Sequence, residues 1–534
     1  MRYLVHHLLT ESAERDPGGE AIVDGDTRLD FAGAAQRVTA GAEQLQSLGI
    51  ARGDRVCVYM KPGCDLPIAL LSISMAGGVF VPIHHSLLAG QVEHILRDSG
   101  ARALLSDVNR LGNLPDDISN LPDLKFIAAH GAHENRLAGL PLYPIAQNTS
   151  AVARPKIPSI GKDLAALLYT SGSTGLPKGV MLSHANVLAG AEIVADYLRL
   201  SSADRLLAAL PLSFDAGLNQ LTTSMLVGAT AVMIDFRFGR DISKRLAEEN
   251  ITGLAGVPPL WSLLAQPSSG LGARALPHLR YITNTGGAMP QNILRQLQGL
   301  LPSTNIYLMY GLTEAFRSTY LPPEELKRRP TSMGRSIPNT EILVVSEDGK
   351  LCAPGEVGEL VHHGPTVSMG YWGRPEATAK VLRPHPSAQS GQGSTDLVCY
   401  SGDLVRQDED GYFYFVGRRD NQIKSAGFRI SPTEVENAIC QAAPIRQAAV
   451  IGVPDAMLGQ HLVAFVVPQE GRADLRPATV LEALAPVLPR HMLPKQIRIV
   501  EALPTTSSGK VAYPALKQLL NEEDAAAETS LGVA

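Results

Sequence analysis

Apolar and polar residues follow two rhythms through the first part of the chain. Short, nearly continuous apolar runs have the length of strands buried on both faces: RVCVYM (55–60), VFVPI (79–83), ARALLSD (101–107), DLAALLYT (163–170), RLLAAL (205–210), TAVMI (230–234) and GLAGV (253–257). Between several of them the apolar spacing changes to threes and fours, as in CDLPIALLSISMAG (64–77) and VMLSHANVLAGAEIVADYL (180–198), the spacing of a helix face. Strands alternating with helices predict an α/β fold with parallel pairing. The opening MRYLVHHLLTESAERD reads as an amphipathic helix, because charges and histidines interrupt its apolar part as no signal peptide allows.

From about residue 340 the rhythm shortens. TEILVV (340–345), GEVGELVH (355–362) and CYSGDLVRQDEDGYFYFVG (399–417) are strand-like, and DEDG (408–411) is a hairpin signal. A small β-rich subdomain is predicted over about 340–419, with HPSAQSGQGST (385–395) as a loop inside it. A second unit begins near 420. SPTEVENAICQAAPIRQAAVIGVPD (431–455) offers a Ser431 N-cap, a helix and a strand; HLVAFVVP (461–468) adds a strand and ATVLEALAPVL (478–488) a helix. The expected division is 1–419 and 420–534, the second an α+β module with a frayed tail.

Composition narrows the function. A chain of 534 residues exceeds one ordinary core. At 45% hydrophobic and 19% charged, with a net charge of −5, it carries no basic footprint for nucleic acid, and no apolar run is long enough to insert in a membrane. The five cysteines are scattered without CxxC spacing, which points to a reducing, cytoplasmic setting and away from zinc or a disulfide frame. The adjacent pairs His6-His7, His84-His85 and His362-His363 point different ways on any regular element, so they read as packing or surface residues and not as ligands.

The chemistry concentrates in TSGSTGLPKG (170–179). Gly172, Gly175 and Gly179 stand among the hydroxyls of Thr170, Ser171, Ser173 and Thr174, with Lys178 as the cation. Backbone N–H groups, hydroxyls and an ammonium are all donors for phosphate oxygens. An apolar strand before the loop and a helix after it would make a phosphate-site layout. It is no Walker loop, since Pro177 precedes Lys178 and Gly179 follows it. MYGLTEA (309–315) sets Thr313 and Glu314 just past a strand end, as Mg²⁺ chemistry on a phosphate needs, or as a helix cap would. In YSGDLV (400–405), Asp403 can accept from two ribose hydroxyls or close an Asx turn. GRRDNQIKSAGFRISPTEVE (417–436) holds Arg418, Arg419, Lys424 and Arg429, able to address phosphate or carboxylate or to lie solvated. Lys510 ends the polar turn of PTTSSGKV (504–511).

In chain order, TSGSTGLPKG, YGLTEA, YSGD, GRRDNQIKSAGFR and SSGK resemble the adenylate-forming superfamily of acyl-CoA synthetases, nonribosomal-peptide adenylation domains and luciferases. The resemblance implies a large N-terminal domain of layered sheets, helices and a small β-barrel, then a hinge and a small mobile C-terminal domain. It implies activation of a carboxylic acid by ATP and Mg²⁺ to an acyl-AMP, followed by transfer to a phosphopantetheine thiol. By position, it implies Thr170, Ser171, Gly172, Ser173, Thr174, Gly175 and Lys178 at the β,γ-phosphates. It implies Tyr310 and Gly311 with Gly286, Gly287 and Ala288 at adenine, Thr313 at the α-phosphate and Glu314 at Mg²⁺. Asp403 and Arg418 fall at the ribose, Asp420 at the hinge, Gly427 and Arg429 at the thiol tunnel, and Lys510 at the reacting carboxylate.

For the acid, PLSFDAGLNQL (211–221) carries Phe214-Asp215, which resembles the pair of amino-acid-activating domains whose Asp meets the substrate ammonium. A small amino acid is therefore expected; the alternatives are that Asp215 caps the following helix and that the product is the CoA thioester of a non-amino acid. The resemblance extends the pocket to Ala216, Asn219, Gly256, Thr283, Thr285, Met309, Arg317 and Ser318, with Arg317 either meeting a second anion on the substrate or paired internally. Stand-alone ligases that load carrier proteins and exosortase-associated acyl-CoA ligases look equally similar. The acceptor thiol is expected in trans, from CoA or a separate carrier protein. A nucleotide hydrolase would instead release phosphate without an acid, and a non-catalytic binder would not need Glu314, Asp403, Arg418 and Lys510 together.

Overall fold

The computed structural model describes residues 2–114, 118–132, 136–146, 158–170, 176–387, 397–419, 423–425, 428–455, 458–472, 475–506 and 510–520. Among them four sheets form. In the first, the strands Glu20–Asp24, Thr230–Met233, Arg205–Ala208, Gly253–Gly256, Tyr281–Asn284 and Asn305–Leu312 lie side by side and parallel. The antiparallel strand Ala315–Leu321 extends it at one side. In the second, Val79–Pro82, Arg55–Tyr59, Ala103–Asp107 and Phe126–His130 are parallel, as their unbroken apolar character requires when helices cover both faces. The helices Asp65–Met75, His184–Tyr197 and Asp215–Val227 are buried nearly all round between these layers, so their apolar residues do not form a single stripe.

The third sheet is the expected β-rich region: Glu341–Val345, Val357–His363, Leu382–Pro384, Leu397–Gln407 and Phe413–Arg418, all antiparallel. DEDG closes the hairpin between the last two. The fourth uses only residues after 420: Ile423–Ser425, Phe428–Ile430, Ile445–Asp455, Gly459–Pro468 and Gln496–Ile499, with helices Pro432–Ala442 and Pro477–Leu484 packed on it. No helix among the described residues is long and apolar enough to cross a membrane.

Two local expectations are corrected. Residues after the glycine loop do not start a helix: Lys178–Ser183 is a strand, antiparallel to Leu164–Thr170, and the helix begins at His184. Its backbone is paired on both sides, by Leu164–Thr170 and by the segment 369–371, where Met181 N–H donates to the Gly370 carbonyl and Met369 N–H to that of Met181. Val180 and Leu182 are buried between them, and such a short apolar run fits either spacing. Thr170 and Lys178, which flank the glycine loop, are therefore partners on two antiparallel strands, and no helix N-terminus stands at Lys178. Ser431 does precede its helix, but its hydroxyl donates to the Val416 carbonyl in place of capping.

Candidate active site

The parallel strands of the first sheet end together, and the chain turns there on Gly286-Gly287-Ala288, directly after Tyr281–Asn284. Gly286 has φ +76°, a left-handed conformation that suits glycine. Asn284 Nδ2 donates to the Gly287 carbonyl and holds the turn, and Gly287 and Ala288 stay exposed. A side chain on Gly286 would lie 3.5 Å from Lys510 Cε. Lys510 N–H donates to Thr506 Oγ1, and its carbonyl accepts from Thr506 N–H. Lys510 therefore lies over the turn expected at adenine.

On the third sheet Asp403 follows Gly402, and its neighbour across the hairpin is Arg418. Tyr310 donates its O–H to Asp403 Oδ2. Arg418 Nε stands 2.9 Å from Oδ1, yet the two are not aligned as a hydrogen bond, so Oδ1 keeps its acceptor capacity. Burial raises the Asp403 carboxyl above its ordinary range, against the lowering pull of Arg418, the Tyr310 hydrogen bond and Lys510. Burial and the adjacent Asp403 charge likewise push the Tyr310 phenol well up. Arg418 also donates through Nη2 to the Ser401 carbonyl. One face of Tyr310 is backed by His362, rings nearly parallel at 15° and 6.0 Å apart. His362 is fully buried, neither ring nitrogen has a partner among the described residues, and burial lowers its pKa to about 3, so it is neutral.

Thr313 and Glu314 form the turn between Asn305–Leu312 and Ala315–Leu321. No helix starts there, which removes the cap reading. Glu314 Oε1 accepts from Tyr371 O–H at 2.6 Å, and Lys178 Nζ lies 5.6 Å from the centre of the Tyr371 ring. Burial first, then the Glu314 charge, raises the Tyr371 phenol far above its ordinary value. Tyr371 was not singled out from the sequence. It reaches Glu314 because its segment pairs with the strand of Lys178: Val180 and Tyr371 are bridge partners, and Trp372 N–H donates to the Gly179 carbonyl. Only an aromatic after glycine in SMGYW marked it beforehand.

Lys178, Tyr371 and Glu314 thus form one chain of contacts, and Arg418, Asp403 and Tyr310 another. Arg418 links them electrostatically, since it also lowers the Tyr371 pKa. Thr170 pairs with Lys178 at the root of the glycine hairpin. Ser171, Gly172, Ser173, Thr174, Gly175, Asp420 and Gly427 lie outside the described residues, and for Arg429 only the backbone, in Phe428–Ile430, is described.

The acid-pocket residues lie on neighbouring elements. Phe214 precedes the helix Asp215–Val227 and its ring is 5.8 Å from that of His84. Asp215 makes no cap hydrogen bond; its Oδ2 is 3.4 Å from Arg317 Nη1 across the layer. Asp215 is already partnered by a cation, and Arg317 by an anion. Asp215 thus has a cation beside it from within the protein, without a substrate ammonium. Ala216 and Asn219 are buried on the same helix. Gly256 ends its strand where a side chain would meet Trp261 at 2.5 Å, so this glycine serves packing. Thr283 and Thr285 are buried, with Thr285 N–H donating to the Gly256 carbonyl. Met309 Sδ accepts from Tyr197 O–H at 3.5 Å, and Ser318 Oγ donates to the Ala315 carbonyl. Gly311 lies on the strand opposite: a side chain there would approach Arg317 Cα at 3.4 Å. Of the residues expected at the acid, Met309, Arg317 and Ser318 share one hairpin with Tyr310, Gly311 and Glu314, and Asp215 meets Arg317.

Away from this region, Glu341 accepts from His363 Nδ1 and His385 Nε2 at 3.0 and 3.2 Å. The Ser387 amide donates to His385 Nδ1, which leaves the proton on Nε2 and no lone pair there for a cation. The trio is a hydrogen-bonded clamp on the third sheet.

A family model described as AMP-binding enzyme matches residues 9–372, and one described as AMP-binding enzyme C-terminal domain matches residues 434–510. A feruloyl-CoA synthase of an Amycolatopsis species is 32% identical over 93% of this chain and 95% of its own length. An indoleacetate–CoA ligase of Aromatoleum aromaticum is 30% identical over 95% and 96%. Among solved structures, an anthranilate CoA ligase in complex with anthranoyl-AMP superposes with a TM-score of 0.85 over 97% of both chains at 24% identity, a likeness of fold.

Proposed function

This chain belongs to the AMP-binding enzymes and is an AMP-forming ligase; from that premise we propose that it joins a non-amino carboxylic acid to coenzyme A through an acyl-AMP. The amino-acid reading expected from Phe214-Asp215 gives way, because Asp215 is engaged by Arg317 and the relatives named above are CoA ligases of aromatic acids. The observation that carries the proposal is the pair of contact chains Lys178–Tyr371–Glu314 and Tyr310–Asp403–Arg418, linked through Arg418, with Lys510 over Gly286 and within electrostatic reach of Asp403.

In the first step a carboxylate oxygen of the acid attacks the α-phosphorus of ATP. The bond from that phosphorus to the β-bridging oxygen breaks, and pyrophosphate leaves. Two anions must meet, and cations at both ends lower that barrier. Lys510 stands over Gly286 to hold the attacking carboxylate against the α-phosphate. Lys178, over the Tyr371 face, neutralises the departing pyrophosphate. Asp403 Oδ1 accepts from the ribose hydroxyls, and Tyr310 fixes that carboxylate while its ring packs on adenine. Glu314 fits a hard divalent cation: Tyr371 occupies Oε1 and leaves Oε2 as a ligand. Bound Mg²⁺ would supply charge neutralisation on the phosphates. In the second step a thiolate attacks the acyl carbon, the acyl–phosphate oxygen bond breaks, and AMP leaves with that oxygen.

The division into 1–419 and 420–534 is part of the proposal. Ile423 onward builds its own sheet, and in this arrangement that unit presents Lys510. Rotation about Asp420 would withdraw the lysine and bring Gly427 and Arg429 to the thiol. The test is acid-dependent exchange of labelled pyrophosphate into ATP, followed by mass analysis of products with CoA and with a phosphopantetheinylated carrier protein. Exchange with a CoA thioester as product is expected. Phosphate release without an acid would refute ligation, and a carrier-bound acyl group with no CoA product would refute the choice of thiol.

A further inference from the structure

Two buried donors among the residues expected at the acid have no acceptor among the described residues. Arg317 is 5% exposed, and its Nη1 reaches Asp215 Oδ2 at 3.4 Å while its Nε has no partner. Asn219 is 3% exposed, and its Nδ2 has none either. Asn219 lies one turn along the helix from Asp215, four residues on, and so shares the face that meets Arg317. A buried donor without an acceptor is costly, and folded proteins keep few of them unless something else completes the bond.

Both orphans are N–H groups. A ligand that satisfies them brings lone pairs. An ammonium brings three more donors and a second positive charge beside a guanidinium whose carboxylate partner is already in place. Arg317 adjoins Gly311 on the hairpin that also carries Tyr310, which pairs with Thr319. With Lys510 assigned to the carboxylate being activated, a group at Arg317 and Asn219 belongs to the acid's tail.

We propose that the acid activated by this enzyme carries a second oxygen acceptor, a carbonyl or carboxylate, on its tail, which receives hydrogen bonds from Arg317 Nε and Asn219 Nδ2, and that it carries no ammonium there. This rests on the reading of the chain as an acid-activating ligase. Arg317 and Asn219 are then specificity-determining residues, and the Arg317–Asp215 pair stays intact when substrate binds.

The experiment uses the full chain in pyrophosphate exchange with two matched series. One is hexanoate, 5-oxohexanoate, adipate and 6-aminohexanoate; the other is benzoate, 4-acetylbenzoate, terephthalate and 4-(aminomethyl)benzoate. One well-formed bond to a charged donor, at about 1.5–3 kcal/mol, corresponds to a preference of roughly 10- to 150-fold in kcat/KM for the oxo or dicarboxylic member over the parent acid. The ammonium member is expected to be the poorest, and the ratio of oxo to dicarboxylic member tells which oxygen is preferred. Asn219→Leu should collapse the preference towards unity with no loss in melting temperature, and Asn219→Asp should shift it towards the ammonium member. Best activity on the parent or ammonium acid, or a preference untouched by Asn219→Leu, overturns the inference while leaving the ligase reading standing. No exchange with any acid overturns the ligase reading itself.

Discussion

Asp403→Asn tests the nucleotide site most directly. The substitution keeps the shape of a side chain enclosed by Tyr310, Arg418 and the Ser401–Gly402 turn. It removes the charge and replaces one acceptor oxygen by an NH₂ donor. In the parent, Oδ2 takes the Tyr310 O–H, and Oδ1 is the atom left to accept from ribose. Whichever way the amide turns, it sets an N–H against Tyr310 O–H and Arg418 or against the sugar. Losing one to two charge-assisted bonds to ATP amounts to ~2–4 kcal/mol, or roughly 30- to 900-fold in affinity. The assay is acid-dependent pyrophosphate exchange with ATP, 2′-deoxy-ATP and 3′-deoxy-ATP. The parent should favour ATP over the deoxy nucleotides, and Asp403→Asn should treat all three alike. Burial raises the Asp403 pKa, so its ionised form opposes folding: stability falls as pH rises from the unfolded carboxyl's range to the higher folded one. The variant should therefore be at least as stable as the parent near neutrality, and a poor KM for ATP would not reflect unfolding. Undiminished discrimination against deoxy-ATP in Asp403→Asn would refute the ribose assignment.

Lys510→Ala should lower pyrophosphate exchange by roughly 10²–10³-fold, the scale for removing one preorganised stabiliser of transition-state charge. Conversion of a supplied acyl-AMP and CoA to thioester should survive; equal loss of both steps would argue for misfolding. Tyr371→Phe keeps the ring under Lys178 but removes the O–H held by Glu314, so kcat/KM should fall roughly 10- to 100-fold with a higher Mg²⁺ requirement; normal Mg²⁺ dependence would show that Tyr371 does not position Glu314. Glu436 accepts at Oε1 from Val450 N–H and Tyr513 O–H, and burial raises its pKa from 4.5 to about 7. The unfolded chain releases this proton first, so stability declines between pH 4.5 and 7 and is level above. Glu436→Gln retains the accepting oxygen and should gain up to about 3 kcal/mol at pH 8 but nothing at pH 4, read by urea unfolding; a gain equal at both pH values would refute the charge argument.

Much of this molecule is written in short stretches. The unbroken apolar runs determine strands covered on both faces, and the short runs and DEDG turn after residue 340 determine the antiparallel sheet ending at Arg418. The motif residues are legible for the same reason: a glycine turn, a Gly-Asp turn or a strand-end Thr-Glu is specified by neighbours within a few positions. Tertiary structure alone decided three things. Lys178–Ser183 became a strand because distant backbone, Leu164–Thr170 and the segment 369–371, was there to pair with it. Tyr371 reached Glu314 through that same pairing. Asp215 met Arg317, separated by 102 positions, and so became half of an internal pair. Backbone preference and periodicity act over a few residues. The partner of a buried charge is fixed by whichever side chain the packed layers bring within reach, and no local pattern encodes that.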